Sequence, residues 1–168
     1  MPRPVRKSNQ RRYVGIDPGK AGGIARLRRD EIDLFKMPST IADVCDLLLK
    51  LSGHEVSALI ERVSAGGSDT GGEKGRMGAT SAFTFGEGYG VLQAALICNE
   101  IPFERIQPVK WQAIYGLRKR TGETKTQKKN RHKAVAAELF PKITVTHWNA
   151  DALLIAEYLR RLKEGELV

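Results

Sequence analysis

The chain is poor in the residues that cross-link proteins or bind transition metals. Its 168 residues include only two cysteines and three histidines. Cys45 and Cys98 each fall within an apolar stretch of helical character, so we expect small core side chains and neither a disulfide nor a zinc site. A reducing compartment such as the cytoplasm is the simplest location for a chain of this kind.

Long apolar segments are also lacking. No run approaches the roughly 20 apolar residues that a membrane-spanning helix needs, and no apolar region follows the basic residues 1–12 as it would in a signal peptide. We therefore expect no membrane partner. The G-x-x-x-x-G-K-[ST] spacing is absent around Asp17-Pro18-Gly19-Lys20, which argues against a nucleotide triphosphatase. With 41% apolar residues, the chain can build the core of one domain.

Acidic residues are outnumbered by basic ones. Lysine and arginine total 28 against 19 aspartates and glutamates, a net charge of +9. Such an excess favours a polyanionic partner, because contacts with phosphates release counterions; a merely solubilising surface is the alternative. The cations cluster in residues 1–12, interpreted as a flexible arm, and in residues 118–133, where eight face a single acid, Glu123. Two further cations lie in residues 64–80, a Gly/Ser-rich stretch that we predict to be a surface loop. The predicted DNA contacts are Lys74, Arg76, Lys110, Arg118, Lys119, Arg120, Lys125, Lys128, Lys129, Arg131 and Lys133.

Three acids stand at one end or the other of apolar runs that lie far apart in the sequence. Asp17 follows Tyr13-Val14-Gly15-Ile16, Glu61 follows Ala58-Leu59-Ile60, and Asp151 opens a helical Ala-Leu-Leu-Ile-Ala run. In the first strand, alternation predicts that Val14 and Ile16 point to one side of the sheet and Tyr13, Gly15 and Asp17 to the other. Acids set against apolar stretches are costly to bury unless a positive charge compensates them. Taken singly, Asp17 could belong to a turn and Asp151 could favour a helix dipole. The combination in this order is more specific than any single acid.

The order of elements predicts that these acids meet. A strand-helix-strand order around Ile41–Leu51 makes the Asp17 and Glu61 strands parallel neighbours, so both acids share one edge of the sheet. His147 lies four residues before Asp151, although a surface histidine or a stacking partner of Trp148 is as good an interpretation. Two Mg²⁺ ions could bridge Asp17, Glu61, His147 and Asp151 as catalytic and metal-binding residues, with Mn²⁺ a plausible substitute.

Two further patterns bear on the fold. Ile24–Arg28 and Ile32–Phe35 are predicted strands, which makes the opening of the chain an antiparallel meander. Gly86, Gly90 and Ala94, spaced by four, form one face of a predicted helix. Glycine weakens a helix by roughly 1 kcal/mol relative to alanine, so the pattern indicates a close backbone approach. Packing within the core is the favoured cause, and contact with a partner is the alternative.

These motifs resemble those of the RuvC-type Holliday-junction resolvases of the ribonuclease H-like superfamily. The residues that carry the resemblance are Val14-Gly15-Ile16-Asp17-Pro18-Gly19 with Gly22-Gly23-Ile24-Ala25, Ile60-Glu61-Arg62-Val63, Phe85-Gly86-Glu87-Gly88-Tyr89-Gly90, Pro108-Val109-Lys110-Trp111, Glu138-Leu139-Phe140-Pro141, and residues 150–158. They span roughly residues 12 to 161 and are more similar to the phage and organellar branch than to the housekeeping bacterial enzyme.

The resemblance implies an α/β ribonuclease H-like fold, a five-stranded mixed sheet flanked by helices. It also implies four metal-binding positions, matched by Asp17, Glu61 and Asp151, with His147 where many relatives have an acid. The expected activity is metal-dependent cleavage of four-way DNA junctions by paired symmetric nicks. A homodimer would act in the cytoplasm of a bacterial or phage-infected host cell.

The expected organisation is a flexible basic arm at residues 1–12, a nuclease domain at residues 13–163 and a tail at residues 164–168. Two other functions stay open on the same residues: a flap- or fork-trimming nuclease of the same fold, and a non-catalytic module that binds branched DNA.

Overall fold

The computed structural model describes residues 11–63 and 78–167. Five strands and five helices follow in the order β1 (Arg12–Ile16), β2 (Gly23–Arg28), β3 (Glu31–Lys36), α1 (Ile41–Leu51), β4 (Val56–Glu61), α2 (Ala79–Cys98), β5 (Phe103–Ile106), α3 (Pro108–Ile114), α4 (Lys125–Leu139) and α5 (Ala150–Lys163). Most of the predicted arm, and Lys74 and Arg76 of the predicted loop, lie outside the described residues. Across the described part, no helix is long and apolar enough to cross a membrane.

The strands form one mixed sheet in the order β3-β2-β1-β4-β5. β1, β2 and β3 pair antiparallel, which confirms the predicted meander. β4 lies parallel to β1 and also to β5. Helix α1 connects β3 to β4 and crosses over β2 and β1. Because β3 runs in the same direction as β1, this crossover makes β4 parallel to β1 and brings the carboxyl ends of the two strands to the same edge.

Alternation along β1 divides the core into two layers. Val14 and Ile16 point to the layer that α1 and α2 cover, where they meet Leu48 and Leu96. Tyr13 and Gly15 point to the other layer, where α3, α4 and α5 pack. This is the side that the period of two predicted for Tyr13, Gly15 and Asp17. Helices therefore flank the sheet on both faces.

Gly15 sets how closely α5 can approach the sheet. A methyl group at this position would lie 2.3 Å from both the Ala152 carbonyl oxygen and the Ala156 nitrogen. Only a residue without a side chain permits that contact. Helix α5 consequently lies directly on β1, and its first turn is brought beside the turn that follows the strand.

Two expectations about helix faces are wrong. Cys45 and Cys98 are exposed, not buried in the core. Cys45 shares an outward face of α1 with Ile41 and Leu49, which are 58% and 60% exposed, so an apolar face was misread as a buried one. The glycines of α2 do not pack in the core either: a methyl group at Gly86 or Gly90 would meet no atom of the described residues within 4 Å.

Candidate active site

Asp17 stands at the carboxyl end of β1 in a turn that holds its side chain. Its backbone N–H donates to the Gly23 carbonyl at 3.0 Å, and the Gly19 N–H donates to Asp17 Oδ1 at 3.4 Å. A methyl group on Gly22 would come within 2.6 Å of the Asp17 carboxyl carbon. The turn therefore needs glycine at position 22 to keep the carboxylate against it.

Glu61 ends the neighbouring parallel strand. The register pairs Ile16 with Ile60, so the residues that follow, Asp17 and Glu61, lie side by side at the same edge. The Trp111 indole N–H donates to Glu61 Oε2 at 2.8 Å. This hydrogen bond fixes one oxygen of the carboxylate and leaves the other available to a ligand.

Asp151 lies in the first turn of α5. Its Oδ1 is 2.7 Å from Nδ1 of His132, a residue of α4. Because an ionised carboxylate can only accept, Nδ1 of His132 carries the proton in this pair. The Asp151 side chain is 31% exposed and the His132 side chain only 5% exposed, so a buried donor holds an acid that faces the cleft.

The electrostatics show that the three carboxylates share one field. Burial and, second, the negative charge of Asp151 raise the pKa of Asp17 from 3.8 to about 6. Burial, followed by the charges of Asp17 and Asp151, raises the pKa of Glu61 from 4.5 to about 8. Both shifts disfavour the ionised forms. The cluster therefore lacks enough positive charge of its own, which is the condition that a bound cation would relieve.

The donor set suits a hard divalent cation, although it is not a closed cage. In residues 11–63 and 78–167, no three His, Cys, Asp or Glu side chains converge tightly enough to hold one ion together. Magnesium commonly binds through only one or two carboxylates, with waters and substrate phosphates completing its shell. Pairs of acids at this edge fit that mode of binding, in which the substrate completes the site.

His147 lies beside the acids but is not held by them. It precedes α5 and is exposed, and its Nε2 donates to Asn130 Oδ1 at 2.9 Å. It lines a cleft of about 210 Å³ together with Asp17, Asp151, Lys129 and His132. Glu61 is not part of that lining, so its place beside the other acids rests on the strand register and on the effect of their charges on its pKa.

The predicted cationic surface is only partly free to meet DNA. Lys129 of α4 lines the cleft beside Asp17 and Asp151, and its charge partly offsets the raised pKa of Asp17. The charge of Lys128 partly offsets the raised pKa of Glu61 in the same way. Arg131 instead donates to both carboxylate oxygens of Glu123 and to the Gly116 and Arg118 carbonyls. It ties the segment before α4 to that helix. Six other predicted contacts are exposed on α3, on α4 and between them: Lys110, Arg118, Lys119, Arg120, Lys125 and Lys133.

Sequence reasoning missed two side chains that hydrogen-bond the acids. Trp111 and His132 reach Glu61 and Asp151 from α3 and α4, 50 and 19 residues away. One signal was available: His132 lies four residues before the buried Ala136, and so on the apolar side of an otherwise highly charged helix.

Taken together, the five-stranded mixed sheet and its flanking helices define the ribonuclease H-like α/β fold. The chain is similar in structure to RuvC from Thermus thermophilus, with a TM-score of 0.57 and 13% identity over 92% of this chain and 96% of that one. It is also similar to T. thermophilus RuvC in complex with Holliday junction substrate, with a TM-score of 0.56, 14% identity and coverage of 93% and 97%. No family model and no curated protein matches the sequence. The resemblance to RuvC is confirmed at the level of the fold.

Proposed function

We propose that this chain is a metal-dependent endonuclease that resolves Holliday junctions by paired symmetric nicks in the phosphodiester backbone. The observation that carries the proposal is the meeting of Asp17, Glu61 and Asp151 at one edge of a ribonuclease H-like sheet, with raised pKa values for the first two. Mutually repelling acids at a cleft are typical of functional sites, because they weaken folding and serve a ligand instead.

Each acid has a proposed role. Asp17, Glu61 and Asp151 would hold the two Mg²⁺ ions, whose positive charge would offset the burial and repulsion that raise the pKa values of Asp17 and Glu61. His147, from the same cleft, is proposed as the fourth ligand, and Mn²⁺ as a substitute for Mg²⁺. When bound, such ions supply an activated water and stabilise the leaving oxygen of the phosphodiester.

The basic residues would hold the DNA. Lys128 and Lys129 lie close enough to the acids to influence their pKa values, so a phosphate bound by them would lie at the edge of the acidic site. The exposed cations between α3 and α4 extend this surface. Phosphate contacts of this kind fix orientation without reading base sequence, which suits a substrate recognised by its branched shape.

A junction-cleavage assay tests the proposal directly. We expect the full chain to nick two opposed strands of a synthetic four-way junction with Mg²⁺ and not with a chelator. Asp17→Asn should abolish cleavage while keeping junction binding, because it removes a ligand charge and reduces repulsion toward phosphate. Near-normal cleavage by D17N at saturating Mg²⁺ would contradict the assignment. Binding without cleavage by the wild type would favour a non-catalytic module.

A homodimer is proposed to account for the paired nicks. Two-fold symmetry would place two active sites on opposite junction strands. The exposed glycine face of α2, with nothing packed against it among the residues described, gives room for a second copy. Sedimentation of the junction complex should show two chains. One chain nicking a single strand would instead support a flap- or fork-trimming nuclease.

A further inference from the structure

We propose that Trp111 and His132 form a single positioning unit, here called the aromatic bracket, that holds Glu61 and Asp151 at a fixed separation. The inference rests on the proposed function, because it assigns the two acids as metal ligands. It adds two residues that touch neither metal nor DNA in that scheme. Their effect would be to set the distance between carboxylates that come from two different elements, the end of β4 and the first turn of α5.

The Trp111 half of the bracket is a fully buried donor. Its side chain has no exposed surface, and its indole N–H donates to Glu61 at 2.8 Å. Indole has one donor and no acceptor, so a buried indole depends on that one partner. Pro108 at the first position of α3 fixes where this short helix begins. The position of Glu61 is thus tied to the packing of α3.

The His132 half of the bracket contacts Asp151 and is buried in the same part of the core as Trp111. Nδ1 donates to Asp151 Oδ1 at 2.7 Å. The Trp111 and His132 rings meet edge to face, with centroids 5.5 Å apart and an angle of 79° between their planes. Such a contact is favourable for aromatic rings and restrains the orientation of both. Glu61, Trp111, His132 and Asp151 therefore form a continuous chain of contacts.

Packing alone does not explain a histidine here. Its Nε2 is buried and finds no hydrogen-bond partner among the described residues. An unsatisfied buried polar atom is destabilising, and an apolar ring of similar size would avoid it. The Nδ1 contact is what the imidazole provides and a phenyl ring would not. Partners that hydrogen-bond metal ligands in this way fix the ligand's orientation and tune its affinity.

The test separates the donor from the volume of the ring. His132→Asn keeps an amide donor at the δ position but leaves space unfilled, whereas His132→Phe fills the space and has no donor. Mn²⁺ binding to the DNA-free full chain is measured by the electron paramagnetic resonance of the free ion, and thermal stability by circular dichroism. For H132F, the Mn²⁺ dissociation constant should rise by about tenfold or more, and for H132N it should stay near that of the wild type. The thermal midpoint should show the reverse order.

Two further variants test whether the bracket is one unit. Trp111→Phe removes the indole donor and should also weaken Mn²⁺ binding. Combined with H132F, its effect should be smaller than the product of the two single effects, since either change already breaks the chain of contacts. The matched control is Tyr115→Phe, which removes a hydrogen bond to the Leu154 carbonyl between α3 and α5 but contacts no acid. Its Mn²⁺ affinity should equal that of the wild type.

The outcomes distinguish the bracket from the proposed function. If H132F and W111F bind Mn²⁺ as tightly as the wild type does, and the wild type cleaves junctions, the bracket alone is overturned. Affinities that follow stability, with H132N weaker than H132F, would reduce both rings to packing residues. If the effects of H132F and W111F on the Mn²⁺ dissociation constant multiply in the double variant, the two residues do not act as one unit. If the variants bind Mn²⁺ in the expected order but the wild type cuts no junction, the function is overturned and the bracket stands. If the DNA-free wild type binds no Mn²⁺, the bracket is overturned, and junction cleavage alone decides the function.

Discussion

Replacement of Glu61 by glutamine should stabilise the metal-free protein at neutral pH. The pKa of Glu61 lies at about 8 in the folded chain, against 4.5 ordinarily, because of burial first and the charges of Asp17 and Asp151 second. A carboxyl raised in this way favours folding fully below its unfolded pKa, and that contribution is lost as pH rises through the folded pKa. The wild type should therefore lose stability between about pH 4.5 and pH 8.

The size of the effect follows from the shift. At neutral pH, holding Glu61 protonated in the folded chain when it would be ionised in the unfolded chain costs about 3 kcal/mol. Since Glu61 is only half-buried, solvent screening reduces the figure to about 1–3 kcal/mol. For a domain of this size, that corresponds to a rise in melting temperature of roughly 3–9 °C. The glutamine carbonyl can still accept from the Trp111 N–H, so the substitution removes the charge and keeps the contact.

Thermal denaturation with a chelator, followed by circular dichroism, measures the effect. Wild type and E61Q should differ little at about pH 4.5 and most at about pH 8. Millimolar Mg²⁺ should stabilise the wild type at the higher pH more than it stabilises E61Q, because the cation compensates the charge that the variant lacks. Equal melting temperatures at both pH values would refute the argument that the raised pKa of Glu61 destabilises the folded chain. A difference in melting temperature seen only at about pH 4.5 would show that the predicted direction of the pH dependence is wrong.

Two other predictions concern DNA and the fourth ligand. Changing Lys125, Lys128 and Lys129 together to alanine should reduce the magnitude of the slope of log affinity against log salt by up to about 3, at roughly 0.9 per lost duplex phosphate contact. The control Lys50→Ala on α1 should leave the slope unchanged. An unchanged slope in the triple variant would mean that the DNA binds elsewhere on the chain. His147→Ala should weaken Mn²⁺ binding and slow cleavage at limiting metal, and His147→Asp should restore cleavage with a preference for Mg²⁺. Junction cleavage by H147A at the wild-type rate across the pH range would make His147 a neighbour of the site.

The sheet and its acids could be predicted because each rests on a local pattern. The alternation in β1 correctly assigned Val14 and Ile16 to one layer and Tyr13 to the other, and the crossover through α1 gave the parallel pairing with β4. The proximity of Asp17 and Glu61 then follows from the strand register alone, since each comes directly after one member of the Ile16–Ile60 pair. The first-turn position of Asp151 was equally visible, because the apolar run of α5 begins beside it.

The side chains that donate hydrogen bonds to Glu61 and Asp151 could not be predicted, because these contacts depend on tertiary packing. Nothing local to Trp111 indicates that its N–H faces Glu61, and the pairing of His132 with Asp151 requires knowing how α4 crosses α5. The same lack of tertiary information made the apolar face around Cys45 look buried. Helical periodicity tells which residues share a face; it does not tell whether another element covers that face.

Helix α4 combines both kinds of residue that the proposed chemistry needs. Lys128 and His132 are four residues apart and so lie on one face. Lys128 acts on Glu61 through its charge, and His132 acts on Asp151 through a hydrogen bond. The acids themselves stand on β1, β4 and α5, the elements that form the buried centre of the domain. In the proposed function, a cation that would approach DNA and a donor that would orient a metal ligand are therefore carried by one helix.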